Sequence, residues 1–157
     1  MNAAYISAVL LGGSIAAALD IIFAISFAAY NGVAPVRLLQ TVASGLLGAA
    51  AFTGGVPVAA MGLVLHFVMS LLWAGAFLLL ATTVPALTLN PLVSGIVFGA
   101  FVFLAMRLVV LPLSAFPYPV TFKPLATVLD LLSHTLLFGV PIAWAIQKVL
   151  RNAPAKA

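Results

Sequence analysis

Apolar, uncharged positions recur in unbroken runs of about 20 residues or more, each bounded by helix-stopping or helix-starting residues. The first run goes from Tyr5 to Tyr30, broken only by Asp20, and closes on Asn31-Gly32. A second extends from Pro57 to Thr83 and is entered through Thr53-Gly54-Gly55-Val56. The third opens at Asn90-Pro91, where Asn caps and Pro suits the first helical position, and ends near Pro112. The fourth starts after Lys123, reaches Leu150 and carries Gly139-Val140-Pro141, an expected kink. The pattern predicts an all-α integral membrane protein of one domain, with transmembrane helices over 5–30, 57–83, 91–112 and 124–150.

Between the first two runs, 35–52 has a different rhythm. Arg37, Gln40 or Thr41, Ser44 and Gly48 recur at helical spacing opposite Leu39, Val42 and Leu46, which suits an interfacial or re-entrant amphipathic helix; a fifth span is the alternative. Its small residues Ala43, Ser44, Gly45, Gly48 and Ala49 would let it lie close to the bundle. A cleavable signal peptide ending at Ala16-Ala17-Ala18 is the rival reading of the first run, but no basic segment precedes it and the apolar stretch continues through Ile21-Ile22-Phe23. The tail 152–157 is short and polar and is expected to fray.

Composition sharpens the class. Of 157 residues 66% are hydrophobic and 5% charged, whereas soluble domains are about 45–50% apolar and about 25% charged. Mean hydropathy is +1.34. A soluble enzyme, a nucleic-acid binder and a disordered tail are excluded. Cysteine is absent, so neither disulfides nor thiolate ligands enter. The net charge of +4 is a topology signal, because Lys148, Arg151 and Lys156 gather at one end. An even number of spans with that cluster inside predicts both termini in the cytoplasm and leaves Arg37 and Lys123 on the outer side.

Counting from the outer ends, Asp20, His66 and His134 each fall about 14–15 Å deep, near midplane, while Arg107 and Asp130 lie about 8–9 Å deep. Charges there cost about 2.5–3.5 kcal/mol each on insertion scales, so they are expected to face the bundle interior and to pair. Helix faces agree: Asp20 shares a stripe with Gly13, Ala16, Ala17 and Ala24; His66 with Gly62 and Ser70; Arg107 with Gly95, Gly99 and Phe103; His134 with Asp130. The expectation is an Arg107–Asp130 ion pair and a proton or ligand cluster of Asp20, His66 and His134, open outward and partly covered by 35–52. The plainer reading is that the pair fixes helix register and the histidines bond across helices. Gly95-x-x-x-Gly99 reads as packing, and Trp73, Trp144, Tyr5, Tyr30 and Tyr118 as anchors or core.

No phosphate loop, HExxH sequence or GxSxG elbow occurs, and Ser133 and His134, as helix neighbours, are expected to point apart. His66 and His134 could ligate a haem or, with Asp20, a transition metal, and Met61 and Met69 flank His66 as soft donors, although Met in an apolar span is ordinarily core filling. The metal remains unknown and no cofactor is the simplest expectation.

The stretches Gly13-Ser14-Ile15-Ala16-Ala17-Ala18-Leu19-Asp20 with Phe23-Ala24, Arg37-Leu38-Leu39-Gln40 through Ala43-Ser44-Gly45-Leu46-Leu47-Gly48, and Leu65-His66-Phe67 resemble a group of uncharacterised small bacterial four-span inner-membrane proteins. So do Val110-Leu111-Pro112-Leu113-Ser114-Ala115 and His134 followed by Gly139-Val140-Pro141-Ile142-Ala143. A more distant likeness, through the Gly-x-x-x-Gly to Pro-Leu pattern and the His of the fourth span, is to YagU-type proteins. The resemblance implies a bacterial cytoplasmic-membrane protein and brings no reaction with it; Gln147-Lys148 is less basic than that group's ending.

Three functions follow as expectations. The first is binding or conduction of a proton or small solute through the polar cluster, in a homodimer because four spans are few for alternating access. The second is a structural or accessory subunit that docks a partner membrane protein, and the third is a haem or metal carrier. An enzyme is the less expected reading. The lipid bilayer is the one partner common to all three.

Overall fold

The computed structural model describes residues 3–152, the side chain of Asn152 excepted; of the expected frayed tail 152–157, Asn152 is the last helical residue and the rest, Lys156 included, lies outside the described residues. Among the described residues every regular element is helical and there is no strand. Five helices are long and apolar enough to cross a membrane: α1 (Ala3–Tyr30), α2 (Pro35–Thr53), α3 (Gly55–Thr83), α4 (Pro91–Leu113) and α5 (Pro124–Arg151). Length and composition thus mark a multi-pass membrane protein.

Helix ends follow the local chemistry. Gly32, at φ +77°, ends α1, a conformation that costs a Cβ-bearing residue energy. The Asn90 side chain accepts from the backbone N–H groups of Leu92 and Val93 and caps α4. Proline opens α2, α4 and α5, where its missing N–H leaves nothing unpaired. α3 starts at Gly55, slightly earlier than the expected Pro57, which fits inside the first turn.

Side-chain pairings fix the register. The Ser70 hydroxyl donates to the Gly13 carbonyl (2.7 Å) and His66 Nε2 lies 3.1 Å from the Ala17 carbonyl, so α3 descends as α1 rises. Gly12 meets Ala145 and Ile142 of α5, whereas Asp20 meets Ser133. Gly95 meets Val140, Gly99 meets His134, and Arg107 meets Asp130. α1 is therefore antiparallel to both α3 and α5, and α4 to α5. Consecutive glycines serve opposite neighbours: a methyl on Gly12 would stand 2.9 Å from the Ala145 Cβ, and one on Gly13 would stand 2.9 Å from Leu71 Cδ2. Small residues matter more here than apolar ones, because lipid is as apolar as leucine and close backbone approach supplies the contact energy. The gap between α1, α3, α4 and α5 is filled by Phe77, Phe98, Val102, Ile142 and Ile146, with the Phe77 and Phe98 rings 4.9 Å apart.

α2 packs across α3 with its polar and small side inward. Gln40, Ala43 and Ser44 are buried and Leu46 and Leu47 are exposed. At the crossing, a Cβ on Gly62 would lie 2.0 Å from the Leu39 carbonyl oxygen. The Gln40 amide donates to the Gly55 carbonyl (3.1 Å). The segment 114–123 folds back on α2: the Ala115 N–H donates to the Gly45 carbonyl (2.9 Å), and Tyr118 packs on Phe52 and Phe116.

Two helices are locally widened to π turns, at Met106–Val110 in α4 and Ser133–Gly139 in α5. Each lies just upstream of a proline, Pro112 and Pro141. A proline ring collides with the carbonyl four residues back, and widening the preceding turn carries that carbonyl away. The kink expected at Gly139-Val140-Pro141 falls where the turn is widened.

Candidate functional site

The two wide turns carry Arg107 and His134, and they set the site. Where five rather than four residues close a turn, each residue advances less around the axis, so neighbours diverge less. The expectation that Ser133 and His134 point apart is accordingly overturned. The Ser133 hydroxyl donates to Asp20 Oδ1 (2.6 Å), and His134 Nδ1 lies 4.0 Å from the same oxygen.

Asp20 sits at the centre, 8% exposed. Its Oδ2 is 3.9 Å from His66 Nε2 on α3. On the far side of His134, Nδ1 is 2.9 Å from the Asp130 carbonyl and 3.1 Å from Asp130 Oδ1. Asp130 Oδ2 in turn accepts from Arg107 Nη2 (2.9 Å) and Nε (3.2 Å), while Arg107 Nη1 donates to the Thr121 carbonyl (2.7 Å). The structure therefore brings all five ionisable side chains singled out from the sequence into one chain of contacts, His66–Asp20–His134–Asp130–Arg107, drawn from α1, α3, α4 and α5. Arg107 is further flanked by the Phe103 and Phe122 rings, each with its centroid 5.2 Å from the guanidinium carbon.

A carbonyl oxygen can only accept, so the histidine nitrogens aimed at carbonyls carry hydrogen. That assigns N–H to Nε2 of His66 and Nδ1 of His134 from the bonding pattern. Each ring's other nitrogen is left to gain or lose a proton. The Asp20 carboxylate itself receives one strong hydrogen bond, from Ser133.

Beside Asp20 lies a cavity of about 420 Å³. Asp20, His66, Ser70 and His134 give it a polar end, and Leu38, Thr41 and Val42 of α2 close it over mostly apolar walls that include Trp73, Val102 and Phe138. A second cavity, of about 330 Å³, lies against Arg107, Asp130 and Pro119–Thr121. His134, Met106, Leu111 and Phe116 line both, so His134 stands in the partition between them.

Ser133, the Thr121 carbonyl and the Trp73 wall were not signalled by the sequence, since a serine in an apolar helix is common and a carbonyl leaves no trace. Trp73 packs at the ring edges of Phe98 and Phe101 as core, yet its buried indole N–H has no partner among the described residues. Gly95 and Gly99 are used within the chain, against Gly139, Val140 and His134. Among the described residues no group of three or more His, Asp or Glu side chains is gathered as a metal-ion site. Compared with known protein families, curated proteins and solved structures, the chain finds no match, and the likeness to YagU-type proteins rests on the residues quoted for it alone.

Proposed function

We propose that this is a four-span membrane protein whose polar cluster binds or conducts a proton or small solute from the outer side. The carrying observation is the unbroken row of titratable groups from His66 to Arg107 alongside a cavity that Asp20 and His134 line. Two carboxylates and one guanidinium sum to one negative charge. In a medium where isolated charge is expensive, a single proton on the Asp20–His66–His134 layer restores neutrality. Histidine accepts and releases such a proton near physiological pH, and the approaches of 3.9 and 4.0 Å let it shift among three side chains.

Helix register supports a four-span reading. Since α3 runs antiparallel to α1, Tyr30 and Gly55 lie at one end of the bundle, and α2 between them leaves and returns on that side. Its outward Leu46 and Leu47 suit lipid, so α2 reads as a re-entrant helix. Lys148 and Arg151, at the other end, support a reading in which the start of α1 and the end of α5 face the cytoplasm of a bacterial inner membrane. The chain lacks cysteine, so introduced cysteines report without background. Val33→Cys should react with an impermeant maleimide from outside and Leu89→Cys should not; the opposite pattern inverts the topology.

Transport is tested in liposomes carrying an imposed pH gradient. Wild-type protein should dissipate the gradient, and Asp20→Asn should reduce the flux to about a tenth or less, since the neutral amide can neither hold nor pass the proton. Ser133 donates its hydrogen, and an amide oxygen accepts it equally well, so the fold should be nearly unaffected. If Asp20→Asn conducts like wild type, or no flux is seen for either, the accessory-subunit reading takes over. In that case the Arg107–Asp130 pair and the cross-helix histidines act as register locks.

A further inference from the structure

We infer that the 420 Å³ cavity takes a small organic cation, a protonated amine on an apolar body, which binds beside Asp20 in exchange for the layer's proton. The inference rests on the reading above and names the ligand class.

Size and wall come first. Ligand pockets run from about 300 Å³ upward, with mostly apolar linings and a few polar groups that set orientation. This cavity has Trp73, Val102, Phe116 and Phe138 along its sides and Asp20 at its polar end. It accommodates a single ring or short branched chain whose polar group reaches that end.

Charge then decides what the polar group is. The Asp20 carboxylate faces His66 of α3 and His134 of α5, but both histidine N–H groups are committed, to the Ala17 carbonyl and to Asp130. Arg107 of α4 is committed to Asp130 and the Thr121 carbonyl. α2 lends the wall Leu38, Thr41, Val42, Gly45 and Leu46, none of them charged. Among the described residues no fixed cation therefore stands against Asp20, and its Oδ2 receives no hydrogen bond from any of these groups. An anionic ligand would meet an uncompensated carboxylate. A neutral one would leave the charge as it was. An ammonium group supplies the missing positive charge and a donor, so it and the proton are alternatives for one position.

The exchange balances. The empty site holds one proton and is neutral; the amine-bound site holds R–NH3+ and is neutral; one proton leaves for each cation that enters. Linkage then requires affinity to rise with pH, by about tenfold per pH unit, over the range where the empty site keeps its proton.

Benzylamine is a suitable probe, with benzyl alcohol and benzoate as neutral and anionic counterparts. Full-length protein in detergent micelles is titrated calorimetrically in buffers of different ionisation enthalpy, which counts the protons released. We expect about one proton per bound benzylamine, affinity rising toward tenfold per pH unit wherever the proton count is one, and binding of both counterparts weaker by tenfold or more. Asp20→Asn should abolish amine binding while melting near wild type. If that variant fails to fold, the proton count and the benzyl alcohol comparison on wild type decide alone. Benzyl alcohol binding as tightly as benzylamine, amine uptake without proton release, or undiminished binding by a folded Asp20→Asn each overturns the inference. Asp20-dependent proton flux in liposomes without benzylamine binding removes the cation and leaves the proton reading standing; loss of both removes both.

Discussion

Replacing Asp130 by Leu should lower stability by about 3–5 kcal/mol, more than replacing Arg107 by Leu, and replacing both should cost clearly less than the sum. The asymmetry follows from the contacts. Without Arg107, the Asp130 carboxylate still has His134 Nδ1 at 3.1 Å. Without Asp130, Arg107 keeps the Thr121 carbonyl alone, and His134 loses the side-chain half of its anchorage. Arg107 is 18% and Asp130 36% exposed, so the partial exposure of Asp130 puts the coupling at about 1–3 kcal/mol rather than higher. Unfolding measured in detergent for the four proteins of the cycle gives the coupling directly. Strictly additive losses would show that the pair contributes nothing beyond its separate halves.

Gly99→Ala should be among the most damaging single methyls in the described residues. An added Cβ would stand 2.0 Å from the His134 carbonyl oxygen and 2.6 Å from Thr135 Cα, and neither backbone atom can rotate aside. α4 and α5 must separate, at a cost of about 3 kcal/mol or more. His134 moves with its carbonyl, so flux or binding should fall along with stability. Gly75→Ala is the control, since a Cβ there meets nothing within 4 Å and the helix gains from losing a glycine. Equal melting temperatures for the two variants would contradict the packing described for Gly99.

Why some of the site could be read from the chain and some could not is a matter of contrast. Asp20, His66, Arg107, Asp130 and His134 stand out because an ionisable group in an apolar run is costly, and costly groups seek one another. Depth along each helix follows from a fixed rise per residue, which is why positions counted from helix ends fall at similar heights. Azimuth does not follow as simply. The reading that turned Ser133 away from His134 assumed regular turns, and the widening ahead of Pro141 lay beyond a fixed-pitch count. The inward face of α2 was legible in part: Ala43 and Ser44 were expected close to the bundle and are buried there, and Gln40 is buried with them while Leu46 and Leu47 look outward. In lipid the ordinary sense of amphipathicity is reversed where a polar side chain finds a carbonyl, as Gln40 does at Gly55.

The Ser133–Asp20 hydrogen bond joins positions 113 residues apart. During synthesis α1 leaves the ribosome long before α5 exists, and in the four-span arrangement Asp20 waits in the bilayer without Ser133 or His134. Its other neighbour, His66, arrives midway. Completion of the last helix is thus the event that turns a set of stranded polar side chains into a connected one, and chains interrupted before it carry an unmatched carboxyl group in lipid. A membrane protease that surveys spans for such groups would distinguish finished from unfinished copies by whether Asp20 has met Ser133.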